Sequence, residues 1–255
     1  MTNTVQTESV NTIEDALSRL GVNANTLSPG EKHALDEQGY LVLPDAIDKA
    51  WLGKLRAAFD QVSSRQPQVI GSKNSGTLHL KDLANEGDVF EGIYAHTKLL
   101  AAAYHVLGRS FSLFQLHGRA PLPGYGQQGL HTDWRPRAAH EPFNIVTAIW
   151  LLDDFTPTNG ATRLVPGTHR LIGQVPKAMA DPSSRHPNQI MVLARAGSAL
   201  IFNGHLWHSG TRNNSDASRR VLQCQLLARE YSALAQAQHD DPEALDPAIR
   251  YILGV

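Results

Sequence analysis

The chain has one cysteine, Cys224, in 255 residues. A single thiol excludes an intramolecular disulfide framework and any zinc site built from several cysteines, and it fits a reducing compartment. Charge of one sign is also missing: 23 basic side chains stand against 24 acidic ones, for a net charge of −1. That balance argues against nucleic-acid binding, which leaves a basic surface and a high isoelectric point. No apolar run approaches the roughly 18 residues of a membrane span. The opening Met1-Thr-Asn-Thr-Val-Gln-Thr-Glu8 has neither a basic nor an apolar region of the kind that marks a secretory signal. Internal repeats, low-complexity tracts and linker-like stretches are absent as well. The expectation is a cytoplasmic protein without membrane or nucleic-acid partners, of a length that suits one β-rich domain. Nothing in the composition speaks to oligomeric state.

Residues 1–25 are polar and predict a flexible tail with a short helix over 12–20. One folded domain is expected over 26–255. Ser28-Pro29-Gly30-Glu31 carries the marks of a helix start: an N-cap serine, proline in the first turn and glutamate at the capping-box position. That helix should stop near Gly39, ahead of a strand over 40–43. Trp51, Leu55, Ala58, Phe59 and Val62 recur at helical spacing and predict a helix over 48–63. A further helix is expected over 97–107, ended by Gly108. From there short β-like runs (111–118, 143–152, 162–165, 190–193, 198–203 and 219–229) alternate with turn residues. Helices first and strands after them predict a mostly β fold with flanking helices, a sandwich or barrel with a helical layer outside.

Histidine is plentiful, with twelve in the chain, so position decides more than number. His131-Thr132-Asp133 would place an imidazole and a carboxylate on one face if the segment is a strand. Two histidines and one carboxylate on one face of an octahedron make the site associated with non-haem Fe(II) oxygenases. The second histidine is either His205 or His208; three residues apart on an extended segment, they face opposite ways, and the residues alone leave the choice open. The run 219–226 alternates so that Arg219, Val221, Gln223 and Gln225 share one face and Arg220, Leu222, Cys224 and Leu226 the other. A pocket arginine suits a carboxylate ligand through its bidentate fork. A solvated charge at the start of a strand is the other reading of Arg219.

Taken together, His131-Thr-Asp133-Trp134, the stretch Asn159-Gly-Ala-Thr-Arg-Leu-Val-Pro-Gly-Thr-His169, and His208 followed eleven residues later by Arg219 resemble the phytanoyl-CoA dioxygenase family. Glu37-Gln-Gly-Tyr-Leu-Val-Leu-Pro44 resembles that family's N-terminal stretch, so the similarity runs over about residues 30–230. The resemblance implies a double-stranded β-helix, also called a jelly roll and cupin-like. It implies an Fe(II)- and 2-oxoglutarate-dependent dioxygenase that uses O2. It makes His131, Asp133 and His208 the iron ligands and Arg219 the partner of the distal carboxylate of 2-oxoglutarate. Thr162 and Gln128 take positions that assist with this co-substrate, and His205 is left a supporting role. The carboxylate at Asp133, which halogenating relatives replace by a small residue, implies hydroxylation or another oxidation of a small molecule, such as a natural-product intermediate. His79, His117, Arg119 and Trp134 are candidate substrate contacts. The competing readings are a cupin-like metalloenzyme that does not use 2-oxoglutarate and a non-catalytic small-molecule-binding barrel.

Overall fold

A computed structural model describes residues 10–66, 69–70, 76–234 and 241–255. Among these, six α-helices run α1 (Ile13–Arg19), α2 (Pro29–Glu37), α3 (Lys49–Arg65), α4 (Glu91–Tyr94), α5 (Thr97–Leu107) and α6 (Pro247–Leu253). Ten strands run β1 (Tyr40–Leu43), β2 (Val69–Ile70), β3 (Thr77–Leu80), β4 (Phe111–Pro121), β5 (Ile145–Leu151), β6 (Thr162–Leu164), β7 (Ile190–Met191), β8 (Ala199–Asn203), β9 (His208–Gly210) and β10 (Val221–Ala228). None of the helices is long and apolar enough to cross a membrane.

Local chemistry explains where the helices begin and end. The Ser28 side chain accepts from the Glu31 N–H while the Glu31 carboxylate accepts from the Ser28 N–H, so the expected capping box is closed at α2. α5 stops where Gly108 turns left-handed at φ 63°, a conformation that costs a side-chain-free residue little. α1 is capped by Thr12 and buries Ile13, Ala16 and Leu17. Residues 13–19 therefore belong to a docked helix rather than a flexible tail, because Ile13 and Leu17 join the main core; residues 1–9 of that expected tail lie outside the described residues. α6 was not among the expected helices. It packs against α1, and the Arg19–Asp246 ion pair at 2.9 Å ties the two together.

The strands form two antiparallel sheets: a seven-stranded sheet in the order β1-β8-β5-β10-β4-β3-β2 and a three-stranded one in the order β7-β6-β9. This is the jelly roll that the family resemblance implies, with the outer helical layer expected from helices preceding strands. The large sheet is apolar on both faces but differently employed. Val146, Ala148 and Trp150 of β5, Ile201 of β8, and Leu222, Cys224 and Leu226 of β10 point outward into the helical layer. Leu151, Leu200, Phe202 and Val221 point inward against Leu164 of the small sheet and Ala161 just before it.

One irregularity decides which side chains of β4 reach the interior. The β4–β10 register slips between Gln225 and Leu226, so that Phe114 is an extra residue on β4. Such a bulge reverses the alternation. Upstream of it Phe111 and Leu113 face the helices; downstream Leu116 and Ala120 do so. Gln115, His117 and Arg119 are thereby turned to the inner face.

Candidate active site

A cavity of about 340 Å³ lies between the two sheets. Its walls come from β3, β4, β5 and β10 on one side and from β6, β9 and the segment 126–133 on the other. At its inner end His131, Asp133 and His208 bring one ligand atom each to within 4.8 Å of one another.

These three residues do not converge by strand alternation. His131 makes a single antiparallel bridge to His208, with both N–H groups donating to the opposite carbonyl at 3.0 Å. The chain then bends, because the Thr132 hydroxyl donates to the Trp134 carbonyl at 2.6 Å. The Asp133 N–H donates to the Gly204 carbonyl at 2.7 Å, which anchors the bend to the turn before β9. The strand expected over His131-Thr132-Asp133 is thus a bridge and a bend, and pairing with β9 supplies the convergence. Gly204 permits the approach: a Cβ there would meet Ile145 Cγ2 at 2.4 Å and Asp133 Cβ at 3.3 Å.

Hydrogen bonds fix the ring orientation of both histidines. Nδ1 of His131 lies 2.9 Å from the Gly129 carbonyl, and Nδ1 of His208 lies 2.9 Å from the Leu206 carbonyl. A carbonyl oxygen only accepts, so each Nδ1 carries its proton and each Nε2 is left as the ligating atom. Asp133 is held from the other side. Thr147 of β5 donates its hydroxyl to Asp133 Oδ2 at 2.5 Å, and Gln225 of β10 donates to the Thr147 oxygen at 3.2 Å. That leaves Oδ1, which stands 3.5 Å from His208 Nε2. Burial alone would raise the Asp133 carboxyl, but His208, His131 and Thr147 hold it well below the ordinary range. Burial depresses His131 to about 4, with the nearby His208 adding to the effect. His208 is raised instead, because the Asp133 charge outweighs its burial.

The donor chemistry fits Fe(II): two neutral-capable imidazole nitrogens, one anionic oxygen, each tied behind by a hydrogen bond, and open cavity in front. His205 is not part of this cluster. It is buried behind it, its Nε2 accepting from the Asn144 N–H at 3.3 Å and its ring 5.7 Å from Phe143. Of the two histidines, His208 is the one that stands with His131 and Asp133.

Arg219 turns into the cavity, buried to 6% exposure. One Nη donates to the Gly160 carbonyl at 2.6 Å, and the guanidinium carbon stands 4.4 Å above the Phe155 ring. Its Nε is buried and has no hydrogen-bond partner among the described residues. Burial pulls its pKa down to about 10. Arg220 points the other way and pairs with Asp153 and Asp60, each at 2.9 Å. Neither arginine is a solvated strand-start charge. Thr162 and Gln128 also line the cavity, and the Gln128 side-chain oxygen accepts from the Gly210 N–H at 3.2 Å.

The four candidate substrate contacts divide. His79 and Arg119 line the cavity, opposite one another on β3 and β4. His117 is on the same inner face but behind the lining. Trp134 packs at a tilt against the Tyr231 ring, 5.0 Å away, and is not among the residues lining the cavity. Three positions were given no role by the sequence: Thr147 and Gln225, which orient Asp133, and Arg163. The Arg163 Nε donates to Ser209 at 2.6 Å and one Nη to the Gln128 carbonyl at 3.1 Å, bracing β9 against the 126–133 segment.

A jelly roll with a two-histidine, one-carboxylate cluster and a buried arginine in the same cavity defines a non-haem Fe(II)- and 2-oxoglutarate-dependent oxygenase. Comparison with known proteins agrees. Residues 35–221 match the family model of phytanoyl-CoA dioxygenase, and the chain belongs to that family. Dioxygenase trt7 of Aspergillus terreus is 26% identical over 230 residues, which cover 84% of this chain and 78% of that protein. Dioxygenase cdmA of Talaromyces verruculosus is 26% identical over 229 residues, 82% of this chain and 75% of that one. Among solved structures, HygX from Streptomyces hygroscopicus with nickel and 2-oxoglutarate bound superposes with a TM-score of 0.66 at 19% identity, covering 79% of this chain and 87% of HygX. The epimerase SnoN from nogalamycin biosynthesis has a TM-score of 0.64 at 20% identity, covering 85% and 84%.

Proposed function

We propose that His131, Asp133 and His208 hold the iron, that Arg219 grips the distal carboxylate of 2-oxoglutarate, and that the oxidised substrate is a natural-product intermediate. The single observation that carries the assignment is the convergence of the three ligand atoms within 4.8 Å in a cavity that also contains a buried arginine whose Nε has no partner among the described residues. Bound Fe(II) supplies the redox chemistry by which O2 and 2-oxoglutarate oxidise a carbon centre, with succinate and CO2 as co-products.

The chain's own residues do the positioning. The hydrogen bonds from the Nδ1 atoms keep both imidazoles in the tautomer that offers Nε2, and Thr147 holds Asp133 so that Oδ1 faces the cavity. Arg219 presents a preformed donor in a low-dielectric wall, where a charged hydrogen bond to a carboxylate is stronger than in water. Thr162 and Gln128 flank the same space and complete the co-substrate pocket. Phe202 packs against the His208 ring at 4.6 Å, within an apolar cluster that also holds Leu200 and Leu206 and excludes water from that side. A small-molecule biosynthetic substrate is supported by the cavity volume and by the biosynthetic setting of SnoN. One fully buried thiol suits a reducing compartment, and the cytoplasm is the proposed location.

Purified chain with Fe(II), 2-oxoglutarate and O2 is expected to release succinate, slowly alone and faster with its substrate. The wild type releasing no succinate under any of these conditions, or Asp133→Ala releasing it at the wild-type rate, would sink the assignment.

A further inference from the structure

The cavity holds a second arginine that the iron and 2-oxoglutarate chemistry does not use. Arg119 lines it from β4, opposite His79 of β3 and beside Val221 of β10. Among the described residues its side chain has no hydrogen bond and no ion pair, and its Nε is buried. Asp133 favours the Arg119 charge through space, but that carboxylate is engaged through Oδ2 by Thr147 and through Oδ1 by the His208 side. A largely enclosed cation without a hydrogen-bond partner is costly, and proteins retain one where a ligand completes it.

We propose that Arg119, flanked by His79, is a specificity-determining residue that binds an anionic group, a carboxylate in the first instance, on the primary substrate. The inference rests on the iron and 2-oxoglutarate reading given above. Charge accounting leads to it. Fe(II), the Asp133 carboxylate, the Arg219 guanidinium and the 2-oxoglutarate dianion cancel to zero, which leaves the Arg119 charge uncompensated until a further anion enters. His79 does not supply that anion, and burial together with the neighbouring Arg119 keeps it neutral, its pKa pushed down to about 4. The Phe114 bulge is the structural device behind the site, since without it Arg119 would face the helical layer. Position also separates the two arginines. Arg219 sits just before β10, over Phe155, whereas Arg119 lies one strand further toward the β3 edge. Two cations on the inner face of neighbouring strands can hold two different anions in one cavity, the co-substrate and the substrate.

The test uses the full chain under anaerobic conditions with Fe(II) and saturating 2-oxoglutarate. The readout is the visible charge-transfer absorption of the ternary complex, titrated with matched carboxylate and carboxamide probes: acetate and acetamide, benzoate and benzamide, 2-naphthoate and 2-naphthamide. In the wild type at least one carboxylate is expected to perturb the band with an affinity at least about tenfold above its amide, the step one charged hydrogen bond sustains. Arg119→Gln should lose that preference and Arg119→Lys should keep part of it. The 2-oxoglutarate dissociation constant should rise far more in Arg219→Gln than in Arg119→Gln. Equal binding of acids and amides by the wild type overturns the proposal without needing any variant to fold. A rise in the 2-oxoglutarate constant for Arg119→Gln as large as that for Arg219→Gln also overturns it, by assigning Arg119 to the co-substrate. A wild type that shows no charge-transfer band at all overturns the iron and 2-oxoglutarate reading itself, and this inference with it.

Discussion

Replacing Thr147 by valine tests how the metal cluster is oriented. Thr147 is fully buried, and the polarity of its hydrogen bonds is fixed: the Gln225 amide donates to it, so its own proton goes to Asp133 Oδ2 at 2.5 Å. Valine keeps the shape and removes the donor. A hydrogen bond to a charged group is worth about 1.5–3 kcal/mol, and 1.4 kcal/mol corresponds to about a tenfold change in a binding constant. Fe(II) should therefore bind roughly 10- to 100-fold more weakly, the range typical of losing a group that orients a metal ligand. The assay is an anaerobic Fe(II) titration against a competing chelator, with circular dichroism to confirm the fold. Thr147→Ser restores the hydroxyl and should return affinity close to wild type. Gln225→Leu reaches Asp133 only through Thr147 and should cost less than Thr147→Val. A folded Thr147→Val protein with an Fe(II) constant within about threefold of wild type would refute the reasoning, since the magnitude rests on that one hydrogen bond.

Four further outcomes are expected. Arg219→Lys keeps the charge but loses the fork, so the KM for 2-oxoglutarate should rise by about tenfold or more; Arg219→Leu should cost about 2–5 kcal/mol, the range for truncating a buried charge pair, and steady-state succinate kinetics measure both. Gly204→Ala forces a Cβ to within 2.4 Å of Ile145 Cγ2; overpacking of about 1–3 kcal/mol should lower Tm and weaken Fe(II) binding together, and a rise in Tm would contradict the close-approach argument. Cys224 is buried in the helical interface and burial pushes its thiol pKa up, so a thiol reagent should label it in denaturant and leave the native chain unlabelled. Burial alone would raise the Asp153 carboxyl, yet hydrogen bonds from Arg220 hold it below the ordinary value. Its contribution to stability is therefore present above the unfolded carboxyl pKa of about 3.9 and fades as pH falls through the lower folded value; the Tm gap between wild type and Asp153→Asn should close on acidification.

Much of the architecture was legible because it is local. Ser28, Glu31 and Gly108 mark helix ends through their own hydrogen bonds and φ angles. The alternation over 219–226 separated a cavity-facing Arg219 from an outward Arg220 because a strand has a period of two. The family resemblance chose His208 over His205, and the geometry now gives a reason: His205 accepts from Asn144 behind the cluster. What was not legible depends on partners distant in the chain. In sequence His131 and Asp133 look like same-face neighbours on a strand, but a bridge to β9 and a bend set by Thr132 bring them together. Thr147 and Gln225 look like ordinary strand residues until β5 and β10 are paired. The Phe114 bulge, which turns Arg119 inward, appears only in the register between β4 and β10. Residues 13–19 read as part of a polar tail because their partner, α6, lies at the far end of the chain.

We propose that His131, Asp133 and His208 form an iron site that operates with 2-oxoglutarate. This is tested by the stoichiometry of Fe(II) bound anaerobically to the purified chain in the presence of 2-oxoglutarate. One Fe(II) per chain is expected in the wild type, lost in His131→Ala and in Asp133→Ala and retained in His205→Ala whenever that variant folds. Iron that stays bound without His131 or Asp133, or that depends on His205 instead of His208, would contradict it.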